Sequence, residues 1–265
     1  MRYLCKRGGV SGIRRNGGGA AAPPAGMTYD KFLEISDDEK YNLMDKIIND
    51  ANMKVPDYLD DSVTSKIMYA LGINNKPTVV SDSELDKLPG KDLYRAFHDN
   101  PDSNISSKDI AGQLKYGDYT QLSGKGGSAF GRGIYFAEDN FGDAVEYGSY
   151  GDNILITRAK LKPNSKMSTI NEIQNKINKD LSFGKTFMSL NDDDKPAIYA
   201  LAHGIDGWRA KAGYNAIIGG EITTQPVIHT AIINRKSLIF SSTNKGVRNK
   251  DNSDYSFSWV DAKDV

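Results

Sequence analysis

Cysteine is almost absent from this chain of 265 residues, and the single one is Cys5, close to the N-terminus. One cysteine excludes an intramolecular disulfide framework and a multi-cysteine zinc site, and we predict no metal site. Net charge is absent too, because 34 Lys and Arg residues balance 34 Asp and Glu residues. A balanced chain has no general attraction to anionic polymers, so nucleic acid is not expected as a partner.

Long apolar runs are also missing, and this excludes a transmembrane helix and the apolar core of a secretory signal. We therefore expect no membrane partner, and a soluble protein that is intracellular or packaged in a particle assembled inside a cell. Residues 1–26 are basic and then rich in Gly, Ala and Pro. Such a leader cannot bury enough apolar area to fold, so it is predicted to be disordered, with Met27 as an alternative start.

Amphipathic helices follow the leader. Ser36 and Glu39 form a capping box ahead of apolar residues at helical spacing, which predicts one helix. A second helix is predicted to begin near Asp60 and to end at Gly72. Residues 27–88 are therefore predicted to form a helical lead-in.

The rest of the chain mixes short strands with short helices. Strands are predicted at Asp92–Phe97, Gly133–Ala137, Ile154–Leu161, Ala216–Ile218, Val227–Ile233 and Ser237–Phe240, and helices are predicted to start at Ser107, Asp143, Thr169 and Pro196. Regular alternation of strand and helix is lacking, and this favours an α+β fold. We predict one domain over residues 89–245 and a polar C-terminal tail over residues 246–265.

A glycine-rich segment, Gly126 to Gly133, would let backbone amides approach a ligand closely. It is not a P-loop, because no Gly-Lys-Ser/Thr follows at the required spacing. It is not a Rossmann fingerprint either, since a strand rather than a helix is predicted after it. A purely structural turn is the alternative interpretation.

The stretch from Ser128 to Asp139, SAFGRGIYFAED, followed by AVEY at residues 144–147, resembles the NAD-binding core of the ADP-ribosyltransferase superfamily. The poly(ADP-ribose) polymerase branch is the most similar. This resemblance implies that NAD is a substrate and that residues 89–245 form a split core in which two small sheets make a cleft. It also implies NAD contacts from the following residues: Ser128, Gly131, Gly133, Tyr135 and Tyr147.

Two tyrosines of this stretch are spaced to hold a planar ring. A strand carrying Tyr135 and a helix carrying Tyr147 could supply an aromatic face on each side of nicotinamide. The alternative is that Tyr135 is an ordinary strand residue and that Tyr147 caps a helix.

Arg95 lies where the superfamily has its first NAD-contacting strand, at a position occupied by Arg or His. The resemblance implies that it anchors the NAD phosphates or ribose, because a guanidinium can hold a phosphate through two parallel hydrogen bonds. Ala96 stands where a Gly is usual, and its methyl group would narrow the nicotinamide pocket. His98 is an alternative contact for the ribose.

Active members also carry a Glu near the start of the last long strand, because a fixed negative charge stabilises the cationic ribose as nicotinamide leaves. The alignment puts His229 or Thr230 at that place, and neither is a carboxylate. Glu221 is the nearest acid, provided that the segment Ile222–Pro226 is a loop that folds inward. Glu138 and Glu146 are the other candidates.

The resemblance therefore implies an NAD-dependent mono-ADP-ribosyltransferase, a glycosyltransferase that modifies a protein acceptor in a bacterial host. Its catalytic candidates are Arg95, Tyr135, Glu221 and His229. The alternative is a catalytically degenerate protein of the same fold with a structural role in a phage virion. The order of lead-in, glycine loop and later helix also resembles domains attached to phage head or minor capsid proteins, which would then be its partners.

Overall fold

The computed structural model describes residues 25–53, 62–73, 76–98, 106–117, 131–140, 142, 144, 153–218, 221–249 and 257–260. The predicted leader and the predicted helix from Asp143 to Tyr147 thus lie almost wholly outside the described residues. Within them the chain is a mixed α+β protein, and no described helix is both long enough and apolar enough to cross a membrane.

Eight described helices surround the sheet: α1 Tyr29–Glu34, α2 Asp37–Asn49, α3 Val63–Ala70, α4 Asp82–Lys87, α5 Ser107–Tyr116, α6 Ile170–Lys179, α7 Leu181–Thr186 and α8 Asp194–Ala202. Their starts follow local chemistry. The predicted capping boxes begin α2 at Ser36 and α6 at Thr169. The predicted cap at Ser107 is wrong by one residue, because Ser106 accepts from the backbone of Asp109 and Ser107 is already helical.

Nine described strands form the sheet: β1 Thr78–Val80, β2 Asp92–His98, β3 Ile134–Glu138, β4 Asn153–Leu161, β5 Met167–Thr169, β6 Gly207–Ile218, β7 Glu221–Ile232, β8 Leu238–Asn249 and β9 Phe257–Val260. Their order is β1-β8-β4-β2-β3-β7-β6-β5, and β9 pairs with β8. Most neighbours are antiparallel, while β1 with β8 and β5 with β6 are parallel. All strands belong to one hydrogen-bonded sheet.

The sheet extends across two of the predicted domain boundaries, the one after residue 88 and the one after residue 245. The lead-in was predicted to be helical, yet it contributes β1, which pairs with β8 from Thr78↔Ile239 to Val80↔Ser241. The predicted polar tail begins at residue 246, whereas β8 runs on to Asn249 and pairs with β9. Both differences arise because strands form by pairing with distant segments. A segment with polar residues and no apolar periodicity can therefore still be a strand.

The sheet has two halves joined at a narrow seam. Strands β2 and β4 pair over seven residues, and β3 and β7 pair over four. By contrast β2 and β3 pair only at Leu93↔Glu138 and Tyr94↔Ala137. Beyond Tyr94 the two strands are no longer paired, so among the described residues these two pairs alone join β2 to β3.

Helices of the lead-in pack against α7 and α8 through aromatic side chains. Tyr41 of α2 meets Phe183 and Phe187 edge-on, with ring centroids 5.4 and 5.8 Å apart. Its hydroxyl donates to Asp180 Oδ2 at 2.6 Å. Tyr29 of α1 donates to the carbonyl of Leu201 in α8 at 2.7 Å. The lead-in is therefore part of the same core as the sheet.

Candidate active site

The candidate site lies where β2 and β3 part. Arg95 is the first residue of β2 past the last pair with β3. Its Nη1 donates to the backbone carbonyl of Tyr135 at 2.9 Å, so the guanidinium spans the two strands at the point where their pairing ends. The structure thus brings together two of the residues that the sequence predicted to share a site.

Arg95 keeps further hydrogen-bonding capacity. Its Nε is buried and has no hydrogen-bond partner among the described residues. The carbon of its guanidinium lies 5.4 Å from the ring centroid of Phe97, a cation–π contact that fixes the other side of the group. Buried donors are normally satisfied, so an unpaired buried donor singles out Arg95 as a candidate site residue. A ligand oxygen would reach Nε only if the groups that cover it moved.

The side chains of Arg95 and Tyr135 leave the sheet on opposite faces. Paired residues of antiparallel strands share a face, and residues alternate along each strand. The pair Tyr94↔Ala137 therefore puts Tyr135 on the face of Tyr94, and Arg95 on the other. A ligand contacting both would have to lie at the parting of the strands, with one residue on each side.

Tyr135 is half-buried, and its hydroxyl donates to the carbonyl of Gly131 in the turn before β3. The ring packs partly against the main core. Tyr135 thereby has an exposed portion for a ligand and a fixed orientation. The second predicted stacking residue, Tyr147, lies outside the described residues, as do Ser128 and Glu146.

The two described glycines of the loop are required by packing within the protein. Gly131 has φ +92°, a conformation that favours glycine, and a Cβ there would lie 3.1 Å from Pro196 and from Trp208. A Cβ on Gly133 would lie 3.0 Å from that of Ala231. These contacts account for both glycines without a ligand, and their predicted NAD contacts stay predictions.

Ala96 has its own packing role. It is paired with Ile156 on β4 and, with Tyr94, packs against the small apolar cluster of Ile154 and Ile156. The methyl group therefore faces this cluster on the Tyr135 face of the sheet. The alternative ribose contact, His98, is half-buried at the end of β2, where it pairs with Ile154.

A buried carboxylate closes the seam. The side chain of Glu138 is 2% exposed, and its Oε2 accepts from Arg209 Nε at 2.6 Å and from Thr230 Oγ1 at 2.8 Å. Lys91 Nζ lies 3.1 Å from Oε1. Burial alone would raise the pKa of this carboxyl, but hydrogen bonds from Arg209, Thr230 and Lys91 outweigh burial and lower it. Glu138 is thus fully engaged as a structural anion.

The predicted replacements for the catalytic Glu lie on β7. His229 is buried and pairs with Ala137, which makes it a diagonal neighbour of Tyr135 on the same face. Burial lowers the pKa of His229, so the ring is held neutral more strongly than a free imidazole. Thr230 is on the opposite face, bonded to Glu138. None of the four β7 residues paired with β3 is acidic.

Glu221 is far from this point along the strand. The loop predicted at Ile222–Pro226 is wrong, because those residues belong to β7 and pair in continuous register with β6. Glu221 pairs with Ile218 at the end of the hairpin. Ten residues separate it from Ala231, the partner of Tyr135, which corresponds to about 33 Å of extended strand.

Two cavities lie in other parts of the molecule. One of about 720 Å³ is bounded by α6, α7 and the start of α8, and one of about 440 Å³ lies between α1, Lys166 and Lys236. Neither is lined by Arg95 or Tyr135. The candidate site is therefore defined by the parting of two strands rather than by a deep cavity.

The charged partners around the site are not predictable from local sequence. Arg209 and Lys91 hold Glu138 across separations of 71 and 47 residues, and Asp194 forms an ion pair with Arg132 across 62 residues. No local spacing relates such residues, and only the strand register brings them together.

Comparison of the chain with protein-family models, with curated proteins and with solved structures finds no match.

Proposed function

We propose that this chain is an NAD-dependent mono-ADP-ribosyltransferase that modifies a protein acceptor and binds NAD where β2 and β3 part. The observation that carries the proposal is the hydrogen bond from Arg95 Nη1 to the Tyr135 carbonyl at that point. The sequence resemblance selected these two residues for NAD, from segments 40 positions apart, and they meet in three dimensions.

The donors of Arg95 suit the chemistry of the substrate. NAD carries a pyrophosphate, and a guanidinium is the group best able to hold two phosphate oxygens at once. Nη1 is engaged by Tyr135, whereas the buried Nε has no partner among the described residues. The exposed part of the Tyr135 ring would supply an aromatic face to nicotinamide. Both features support NAD over a ligand that lacks charge and rings.

A specific observation favours a second candidate. The described residues beside Tyr135 on β7 are not acidic, Glu138 is held by Arg209 and Lys91, and Glu221 lies at the far end of the hairpin. Charge stabilisation of a cationic ribose requires a carboxylate. The second candidate is therefore a protein of the same fold that has lost transfer and has a structural role, for which a phage virion is the setting that the sequence resemblance suggests.

The decisive experiment is incubation of the protein with NAD labelled on its adenylate portion, together with a bacterial lysate. The transferase proposal predicts label on protein and free nicotinamide, and loss of both in Tyr135→Ala. The control Tyr116→Ala removes an exposed tyrosine at the end of α5, on a different helix from α3. NAD binding without labelled protein or nicotinamide release would support the structural candidate. If the protein does not bind NAD at all, both the transferase activity and the proposed NAD site are contradicted.

A further inference from the structure

A buried line of polar contacts connects helix α3 to the turn that precedes β3. Thr64 of α3 donates its hydroxyl to Asp194 Oδ1 at 3.1 Å. Arg132 Nε lies 2.7 Å from the same oxygen, as an ion pair. The Asp194 side chain is only 4% exposed, and Thr64 is fully buried. Asp194 Oδ1 therefore connects Thr64 of the lead-in to Arg132 in the turn before β3.

The line continues to the candidate site. The Arg132 amide donates to the carbonyl of Asp193 at 2.9 Å, which fixes the backbone of the turn to the start of α8. The neighbouring Gly131 is held between Pro196 and Trp208, and its carbonyl accepts from the Tyr135 hydroxyl. A displacement of the turn would therefore move the group that orients the Tyr135 ring.

Stability alone is a poor explanation for Asp194. Burial raises the pKa of its carboxyl, and the opposing effects of Arg132 and Thr64 do not reverse the shift. The ion pair thus fails to compensate fully for the desolvation of Asp194, and an ion pair with a buried carboxylate is commonly replaceable by apolar residues without loss of stability. What such a pair does supply is a defined geometry for the groups that it connects.

We propose that Asp194 is a positioning residue through which helix α3 holds the turn at Gly131 and Arg132, and with it Tyr135, in the arrangement that accepts NAD. The inference rests on the proposed function for its NAD part, while the mechanical coupling between Thr64 and the turn stands independently. Helix α3 is then a component of the site although none of its residues reaches it.

The test compares Thr64→Val with Ser65→Ala in the full chain. Thr64→Val keeps the shape of the side chain and removes the hydroxyl bonded to Asp194. Ser65→Ala removes a buried hydroxyl of the same helix that accepts a hydrogen bond from Ser62. Hydrogen exchange of the Arg132 and Tyr135 amides reports the turn, and calorimetry with NAD reports binding. Asp194→Asn, which keeps the shape and removes the charge, is the second variant.

We expect Thr64→Val and Asp194→Asn to speed exchange of both amides at least fivefold and to weaken NAD binding at least fivefold. Ser65→Ala should leave amide exchange and NAD binding unchanged, even if it lowers the melting temperature as much as the other two variants do. Unchanged exchange in Thr64→Val and Asp194→Asn, or equal effects in Ser65→Ala, would overturn the proposal. If the parent does not bind NAD, the proposed function fails, and the exchange data still decide whether Asp194 positions the turn.

Discussion

Arg95 and Tyr135 are joined through the backbone rather than through their side chains. Arg95 Nη1 donates to the Tyr135 carbonyl at 2.9 Å, whereas strand alternation sends the two side chains to opposite faces of the sheet. The guanidinium occupies the place where the next ladder bond between β2 and β3 would have formed. It therefore stabilises the arrangement in which the strands are no longer paired, while Nε stays buried without a hydrogen-bond partner among the described residues.

This relationship makes the seam and the candidate site the same structure. On one side of Arg95 the strands are closed by Leu93↔Glu138 and Tyr94↔Ala137, with Glu138 buried beneath them. On the other side their pairing has ended. A substitution that alters the pairing of β2 with β3 is therefore expected to alter ligand binding.

Replacement of Tyr135 should distinguish its ring from its hydroxyl. Tyr135→Ala is expected to weaken NAD binding by about 1–3 kcal/mol, the range for stacking of bases on aromatic side chains. Tyr135→Phe keeps the ring and removes the hydroxyl that donates to Gly131, so about 0.5–1.5 kcal/mol of stability should be lost. Calorimetry and denaturant unfolding measure the two quantities. Equal NAD affinity in the Ala variant and the parent would show that the ring does not stack.

Glu221→Gln is expected to change any transferase turnover by less than about twofold, because catalytic stabilisation acts at contact distance. Its place opposite Ile218 at the hairpin end puts it far from Tyr135. Initial rates of nicotinamide release measure this, with Glu172→Gln, an exposed capping residue of α6, as the control. A hundredfold loss in Glu221→Gln alone would mean that the hairpin end reaches the ribose.

Glu138→Gln should destabilise the fold and flatten its response to acid. The pKa of Glu138 is lowered in the folded protein, so its contribution is fully present above the unfolded value of about 4.3 and is lost as pH falls through the lower folded value. We expect a loss of about 2–3 kcal/mol near neutral pH. This is less than for a fully buried pair, because Lys91 and Arg209 can turn towards water.

Denaturant unfolding at several pH values measures both effects of Glu138→Gln. The parent should lose stability more steeply than the variant below about pH 4, and the two should converge. Parallel pH profiles would show that Glu138 is not the anion that fixes the seam.

Local rules predicted the element starts well. Ser36 and Thr169 each lie three residues before a Glu, and the structure has a capping box at both. The one-residue error at Ser107 was avoidable, because Asp109 stands three residues after Ser106 and not after Ser107. Sequence patterns over three or four residues carry this information directly.

Long-range pairing accounts for what the sequence did not predict. Strand β1 has three residues and pairs with a strand about 160 positions later, so no local pattern marks it. The sequence predicts a loop over Ile222–Pro226, yet Pro226 pairs with Gly213 beyond the last contact of β7 with β3. A proline is tolerated there because one side of the strand lacks a neighbour in the described sheet. The split core of the resemblance stays a prediction, supported by the seam.

The most direct test of NAD binding at the seam is calorimetric titration of NAD into the parent, Arg95→Lys and Arg158→Lys. Lysine cannot reproduce the planar fork of Arg95, so its variant should bind NAD about tenfold or more weakly. Arg158 forms ion pairs with Asp86 of α4 and with Asp92 of the neighbouring strand β2, and Arg158→Lys controls for loss of an arginine from the same sheet. Saturable binding by the parent and by Arg158→Lys, with the loss confined to Arg95→Lys, is the predicted result; equal affinity in all three, or no binding by the parent, would contradict the account.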